Sequence, residues 1–216
     1  MAEFEGFGEA ALEFYEGLGA DNSKAYWSDH KATYDADVRA PLDALAEELG
    51  PEFGPGKVFR PYNDVRFHKG RPPYKEQAAL VVGEAGSMHY LALSSAGLFL
   101  AGGYYQTATD QVQRMREAVA DPKSGPPLVR AVSGLRATGW EVGGATLQRV
   151  PKGFDPDSAR ADLLRHKTLT ASRSEPPAEW LHTREALDRV RAAWRELAPL
   201  QRWLHTHVGP SRLPRG

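Results

Sequence analysis

Polar side chains at every second position between residues 58 and 69 form the densest set of chemically useful residues in the chain. The five alternating positions are Arg60, Tyr62, Asp64, Arg66 and His68. On a β-strand, residues two apart lie about 6.5–7 Å from each other on one face, so these side chains would form a single polar row. Two guanidiniums that flank a carboxylate keep it ionised and retain N–H donors for a phosphate or carboxylate ligand.

The loop after this predicted strand adds more cations. It contributes four candidate ligand-binding side chains, namely Lys69, Arg71, Tyr74 and Lys75. We expect this loop to be extended and able to close over an anion, because the residue before each proline of the Pro72-Pro73 pair is kept out of the helical region. Two other interpretations stay open: a purely structural Arg–Asp–Arg network and a surface that contacts another protein.

Two of these residues are candidates for proton transfer. Asp64 could act as a general base, and His68 as an acid or base near neutral pH. Neighbouring arginines lower the pKa of a carboxylate, however, which favours an orienting role for Asp64. A lone histidine on a strand is more often a hydrogen-bonded surface residue. The sequence therefore names no reaction and leaves open whether the protein is an enzyme.

A second candidate ligand site is the predicted turn over residues 101–105. Gly102 and Gly103 permit close approach of a ligand to the backbone, and Tyr104 offers a ring face and a hydroxyl. A plain turn between a strand and a helix has the same composition. The segment has none of the spacings of a dinucleotide site, a P-loop or a hydrolase nucleophile elbow. Since the spacing of His205 and His207 directs them to different sides of a helix, we expect no metal site and no cofactor.

Charge is distributed very unevenly along the chain. The formal net charge is −1, which argues against a strongly basic nucleic-acid protein. Residues 1–56 hold 13 acidic and three basic side chains, whereas residues 57–75 hold six basic and one acidic. We call residues 57–75 the basic segment. It creates a local positive potential that can attract an anion, unless it pairs with the acidic helices that precede it.

Composition sets the class of the protein. Its 216 residues, 41% hydrophobic and 25% charged, suit a soluble globular chain large enough to bury a core. Cysteine is absent, which excludes disulfides, thiol nucleophiles and cysteine-ligated metals and makes the cytoplasm the expected location. We expect no membrane contact, since no apolar run approaches about 18 residues and no signal peptide is visible.

Hydrophobic periodicity predicts a single α+β domain over residues 1–208, with a disordered tail over 209–216. Short spacing between strands favours an antiparallel meander, packed with N-terminal, middle and C-terminal helices. Helices are expected at 7–18, from about 23 to 49 with a kink at Pro41, at 109–119, 127–136 and 158–165, and from 183 with a distortion at Pro199. Strands are expected at 58–69, 78–82, 88–94, 98–101, 140–142, 145–150 and 167–171.

The run from Phe59 to Phe67, followed by Pro73-Tyr74-Lys75, resembles a bacterial and fungal family of conserved hypothetical proteins, domain of unknown function 2461. Three further stretches are similar to that family: 21–34, 102–104 and 151–154. The resemblance covers about residues 4–208 and implies a single domain in which this motif is important. It implies no activity, substrate or cofactor. Asn63 stands where the family usually has a second arginine, and Tyr26, His68 and Gly70 also depart from its pattern.

Three functional hypotheses follow. In the first, the basic segment binds a small phosphorylated or carboxylated molecule. In the second, nucleic acid binds there, with bases stacked on Tyr62 and Tyr74, although the acidic first quarter counts against it. In the third, the basic segment docks the acidic helices of another copy or partner. The sequence leaves the oligomeric state open.

Overall fold

The acidic N-terminal quarter folds as consecutive helical segments in a computed structural model that describes residues 3–64, 70–83 and 88–213. Its segments are α1 (Ala10–Ala20), α2 (Lys24–Thr33), a π-helical stretch (Tyr34–Arg39) and α3 (Ala40–Phe53). Ser23 caps α2, because its side-chain oxygen accepts a hydrogen bond from the Tyr26 N–H. The apolar stripe that predicted the long helix is buried, with Trp27, Leu42 and Leu49 among its members.

The predicted kink near Pro41 takes the form of this π-helical stretch. The Ala40 N–H bonds to the Asp35 carbonyl, five residues back instead of four. Pro41 itself lies in the first turn of α3, where a missing N–H costs little. Its ring excludes the ordinary α-helical approach of the preceding carbonyls, which accounts for the wider turn just before it.

A six-stranded antiparallel sheet forms the β part of the fold. Its strands are β1 (Gly56–Val58), β2 (Ala78–Val82), β3 (His89–Ser94), β4 (Gly97–Tyr104), β5 (Glu141–Gly143) and β6 (Leu169–Glu175). The strand order is β1-β2-β3-β4-β6-β5, so the first four strands form the predicted meander. In the register of β1 and β2, Lys57 lies opposite Val81, and in that of β5 and β6, Val142 lies opposite Ala171.

Two predicted strands are largely wrong. The strand expected over 58–69 ends at Val58, and its described remainder makes only one isolated bridge, between Tyr62 and Tyr74. Pro61 has no N–H to continue a ladder, which explains why the chain leaves the sheet there. The segment 145–150 likewise holds a single bridge, between Thr146 and His166, instead of a strand.

The remaining helices follow the predicted periodicity closely. They are α4 (Thr109–Ala120), α5 (Gly125–Ala137), the short α6 (Ala161–Leu164), a 3-10 turn (Glu179–His182), α7 (Glu185–Glu196) and α8 (Ala198–His207). The distortion expected at Pro199 is a break between α7 and α8, with the proline in the first turn of α8. None of the helices in the described ranges is both long enough and apolar enough to span a bilayer.

The chain is a single α+β domain, as predicted, and two compact units are distinguished within it. The first comprises Met1–Gly83, Tyr90–Leu100 and Ser174–Ala192, and the second Glu84–His89, Ala101–Arg173 and Ala193–Gly216. In the first unit the core contains the inward faces of α1 and α3 with β2. In the second it contains buried side chains of α4, α5 and α8, among them Met115, Leu128 and Leu204.

The described residues of the C-terminal tail, as far as Leu213, contact the start of α4. Gln111 and Arg114 of α4 donate hydrogen bonds to the carbonyls of Gly209 and Pro210. Asp110 accepts hydrogen bonds from the Arg212 N–H and the Ser211 hydroxyl. These bonds hold the pKa of Asp110 well below its ordinary value, with the Arg212 N–H as the largest cause. The tail is thus tied to the start of α4.

The Ser23 cap is testable because α2 carries residues of the candidate site described below. Ser23→Ala removes the acceptor for the Tyr26 N–H, and we expect the free energy of unfolding to fall by about 1 kcal/mol in urea denaturation. Ser28→Ala is the matched control, since Ser28 is exposed within the same helix and alanine is a better helix former. Equal losses in both variants would contradict the capping role.

Candidate functional site

The loop of the basic segment is anchored to α2 by two stacked aromatic rings. The Tyr74 ring lies parallel to the Trp27 indole, with a centroid separation of 4.4 Å and an interplanar angle of 7°. Both side chains are buried, and burial raises the pKa of the Tyr74 phenol. Tyr62 closes the group, 5.5 Å from Tyr74 and 5.8 Å from Trp27. We call Trp27, Tyr62 and Tyr74 the aromatic cluster.

Asn22 fixes the backbone of the same tyrosine. Its Oδ1 accepts a hydrogen bond of 3.0 Å from the Tyr74 N–H, and its Nδ2 donates one of 3.1 Å to the Tyr74 carbonyl. One amide side chain therefore bonds both backbone groups of a buried residue. Asn22 lies just before the cap of α2, so the helix start and the loop are joined at this point.

Asn63 closes the other side of the loop. Its Nδ2 donates to the carbonyls of Pro72, at 2.8 Å, and Tyr74, at 3.0 Å. The backbones also pair: the Asn63 N–H bonds to Pro73 O, and the Lys75 N–H to Pro61 O. An arginine, usual at this position in the resembled family, has no acceptor and a longer side chain. Here the position holds the loop closed instead of contributing a charge.

This scaffold brings three cations close together, and we call Arg60, Arg71 and Lys75 the basic cluster. The Lys75 ammonium donates a 2.8 Å hydrogen bond to the Arg60 carbonyl and lies 5.6 Å from the centroid of the Phe59 ring. Burial lowers the pKa of Lys75, and the positive charges of Arg60 and Arg71 lower it further. Each of the two arginines therefore repels the Lys75 ammonium.

Within the described parts of the chain, no carboxylate forms an ion pair with any member of the basic cluster. The acidic helices pair elsewhere: Glu48 with Arg184 at 2.7 Å, Glu52 with Arg191 at 3.7 Å, and Asp43 with Arg39 at 2.7 Å. Arg60 and Arg71 are exposed to solvent and Lys75 is half-buried. The alternative in which the acidic quarter neutralises the basic segment therefore finds no support among these three cations.

The other predicted site residues divide into three groups. Tyr62 is 46% exposed, whereas Tyr74 is only 6% exposed and serves as an anchor. Asp64 is half-buried at the end of the described stretch. Arg66, His68 and Lys69 lie outside the described residues.

Gly102, Gly103 and Tyr104 lie at the end of strand β4, in the part of it that belongs to the second unit, and do not form the predicted turn. A Cβ on Gly102 would come within 2.7 Å of Leu197 Cδ1 and 2.8 Å of Gln201 Nε2. Gly103 has a φ of +116° and would clash with the Leu169 carbonyl. Protein atoms thus occupy the space that these glycines open, and the Tyr104 ring is buried.

Among residues 3–64, 70–83 and 88–213, no three histidine or acidic side chains come together in a group that could hold a metal ion. The described residues define no geometry for proton transfer, because His68 lies outside them. What the described side chains offer is binding: the Lys75 ammonium within the field of two arginines, near the partly exposed Tyr62.

Sequence reasoning identified the cations but missed the two asparagines. In the sequence, Asn22 stands out only within the stretch 21–34 that is similar to the resembled family, and Asn63 only as a departure from that family. Their roles depend on contacts with Tyr74, which is 52 residues from Asn22 along the chain. The one sequence signal was the joint presence of the 21–24 stretch and the Pro-Tyr-Lys motif.

Comparison with known proteins identifies the family of the chain. The family model described as "Conserved hypothetical protein (DUF2461)" matches residues 10–203. A comparison with curated protein sequences found no match. The matched range includes α2, the basic segment and the helices of the second unit.

Asn22 is the residue whose loss should release the loop. Asn22→Ala leaves the N–H and carbonyl of buried Tyr74 without this partner, and we expect about 1–3 kcal/mol lower free energy of unfolding. The Tyr74 amide should also exchange its hydrogen faster. Gln106→Ala, which truncates an exposed amide, is the control. Unchanged stability and exchange in Asn22→Ala would contradict the anchoring role.

Proposed function

The chain belongs to the DUF2461 family of conserved hypothetical proteins, and we propose that it binds a small phosphorylated or carboxylated molecule at the basic cluster. The observation that carries this proposal is the placement of the Lys75 ammonium, bonded to the Arg60 carbonyl and within the field of the Arg60 and Arg71 charges, without a described carboxylate paired to any of the three. Such repulsion lowers the stability of the fold, and a bound anion removes the repulsion.

The side-chain chemistry suits this ligand class. Guanidiniums present planar pairs of N–H donors that match a carboxylate or phosphate, and they cannot lose their proton near neutral pH. Lys75 adds a compact charge, held in place by its bond to the Arg60 carbonyl. Arg66 and Lys69 complete the set predicted from the sequence, although the proposal does not depend on their positions.

Nucleic acid is the weaker alternative for the same segment. It was expected to use Tyr62 and Tyr74 as stacking platforms, but Tyr74 is buried against Trp27 and only Tyr62 is exposed. A single exposed ring beside three cations suits one small ligand better than a strand of stacked bases. The cytoplasmic location and any catalytic role of Asp64 or His68 stay predictions.

Binding of two simple probes tests the proposal. Pyrophosphate and citrate should each bind with one-to-one stoichiometry in isothermal titration calorimetry. Because a charge-assisted hydrogen bond contributes about 1.5–3 kcal/mol, Arg60→Gln and Arg71→Gln should each weaken binding about tenfold or more. Both side chains are exposed, so melting temperatures should stay close to that of the wild type.

Arg149→Gln is the matched control, since Arg149 is an exposed arginine of the second unit. Equal losses in this variant would reveal only a general charge effect and contradict the site. A single-stranded oligonucleotide that binds more tightly than pyrophosphate, with a steep dependence on salt, would favour the nucleic-acid alternative.

The lowered pKa of Lys75 makes binding dependent on pH. A bound anion favours the charged ammonium and so raises this pKa, which means that binding takes up protons once Lys75 begins to deprotonate. Citrate affinity should therefore begin to fall at a lower pH than it would for an ordinary lysine, whose pKa is about 10.4. In Lys75→Arg the affinity should stay flat where that of the wild type falls. A wild-type profile as flat as that of the variant would contradict a role for Lys75.

A further inference from the structure

A groove between α5 and α8 lies entirely in the second unit. Its volume of about 630 Å³ falls within the range of about 300–1,000 Å³ that small-molecule sites occupy. The floor and walls are mainly apolar, with Ala131, Leu135 and Trp203 among the lining residues. Trp203 is fixed in place, because its indole N–H donates a 2.7 Å hydrogen bond to the Ser124 carbonyl.

Gly134 keeps one wall of the groove open. It lies inside α5, where glycine costs about 1 kcal/mol of stability relative to alanine. A Cβ at this position would meet no described atom within 4 Å, so close packing does not require the glycine. Its φ also lies outside the left-handed region. The missing side chain leaves open space at a position that lines the groove.

Two cations at the rim lack partners among the described residues. Arg130 of α5 and Arg202 of α8 both line the groove and are exposed. Neither guanidinium forms an ion pair or a side-chain hydrogen bond within residues 3–64, 70–83 and 88–213. Arginines in this state have all their N–H donors available for a carboxylate, sulfonate or phosphate.

The one carboxylate that lines the groove is already neutralised. Glu196 accepts a 2.8 Å hydrogen bond from the Trp140 indole N–H and pairs with Arg173 at 3.2 Å. Although burial alone would raise the pKa of Glu196, its hydrogen bonds with Trp140 and Thr138 and the charge of Arg173 lower it. His207, the remaining ionisable group of the lining, lies with its ring 5.1 Å from that of Trp203. The groove is thus apolar inside and positively charged at its rim.

We propose that this groove binds a small organic anion with an apolar body and one acidic headgroup. The apolar body rests on Leu135, Ala131 and the Trp203 indole, and the headgroup accepts hydrogen bonds from Arg130 and Arg202. Burial of the body supplies the affinity, and the two guanidiniums select for the negative charge. The site is separate from the basic cluster and does not depend on the function proposed for it.

Two dyes that differ by one charged group make a direct test. 1-Anilinonaphthalene-8-sulfonate has an aromatic body and a sulfonate, and N-phenyl-1-naphthylamine has the same body without the sulfonate. Fluorescence titration of the folded chain should show saturable one-to-one binding of the sulfonate dye, about tenfold tighter than that of the neutral dye. Arg130→Gln and Arg202→Gln should each reduce this preference, with little effect on the neutral dye. Arg136→Gln, an exposed arginine of α5 outside the groove, is the control.

Filling the groove tests its location. Gly134→Leu places a side chain in the open space and should abolish saturable binding of both dyes, with a melting temperature equal to or above that of the wild type. Ser133→Leu adds the same side chain to the same helix outside the groove and should leave binding intact. Equal affinity for the two dyes, equal effects of Arg136→Gln and Arg202→Gln, or saturable binding that survives Gly134→Leu would each overturn the proposal. Loss of dye binding in Arg60→Gln would show that the dye binds at the basic cluster, and this result would also overturn the proposal.

Discussion

The stacking of Tyr74 on Trp27 is the contact on which the candidate site depends. It places the loop that carries Arg71 and Lys75 against α2, and the 4.4 Å separation leaves no room for water between the rings. Asn22 and Asn63 then satisfy the backbone that this burial removes from solvent. The anchor thereby holds Arg71 and Lys75 in a loop where the charges of Arg60 and Arg71 act on the Lys75 ammonium.

Charge is segregated in the first unit because the acidic helices find other partners. Arg184 and Arg191, far along the chain, take up Glu48 and Glu52, while Arg39 pairs with Asp43 within its own helical segment. The near-neutral net charge of the chain therefore does not describe its local fields. The second unit also pairs some charges and leaves others unpaired. Arg173 neutralises Glu196, whereas Arg130 and Arg202, at the rim of the groove, have no ion-pair partner among the described residues.

Much of the fold could be predicted because burial imposes a period on the sequence. Trp27, Leu42 and Leu49 share one helical stripe and are buried, and the apolar run of β2 was identified to the residue. The prediction of strands and turns failed where one residue prevented the structure that the hydrophobic period indicated. Pro61 interrupts the alternation that suggested a strand over 58–69, and the paired glycines of β4 suggested a turn although their neighbours require a strand. In the candidate site the cationic residues could be named in advance, but Asn22 and Asn63 could not, because a helix cap and an anchor have the same local sequence.

The sequence alone determined the class of the fold, the order of most helices and strands, and the segment with excess positive charge. These follow from hydrophobic periodicity, prolines, glycines and charge counts, which act over a few neighbouring residues. Only the tertiary structure decided which charges are paired, which tyrosine faces solvent, and that α5 and α8 leave a groove beside Gly134. Those outcomes depend on contacts between residues that are far apart in the chain, and a local sequence pattern does not determine such contacts.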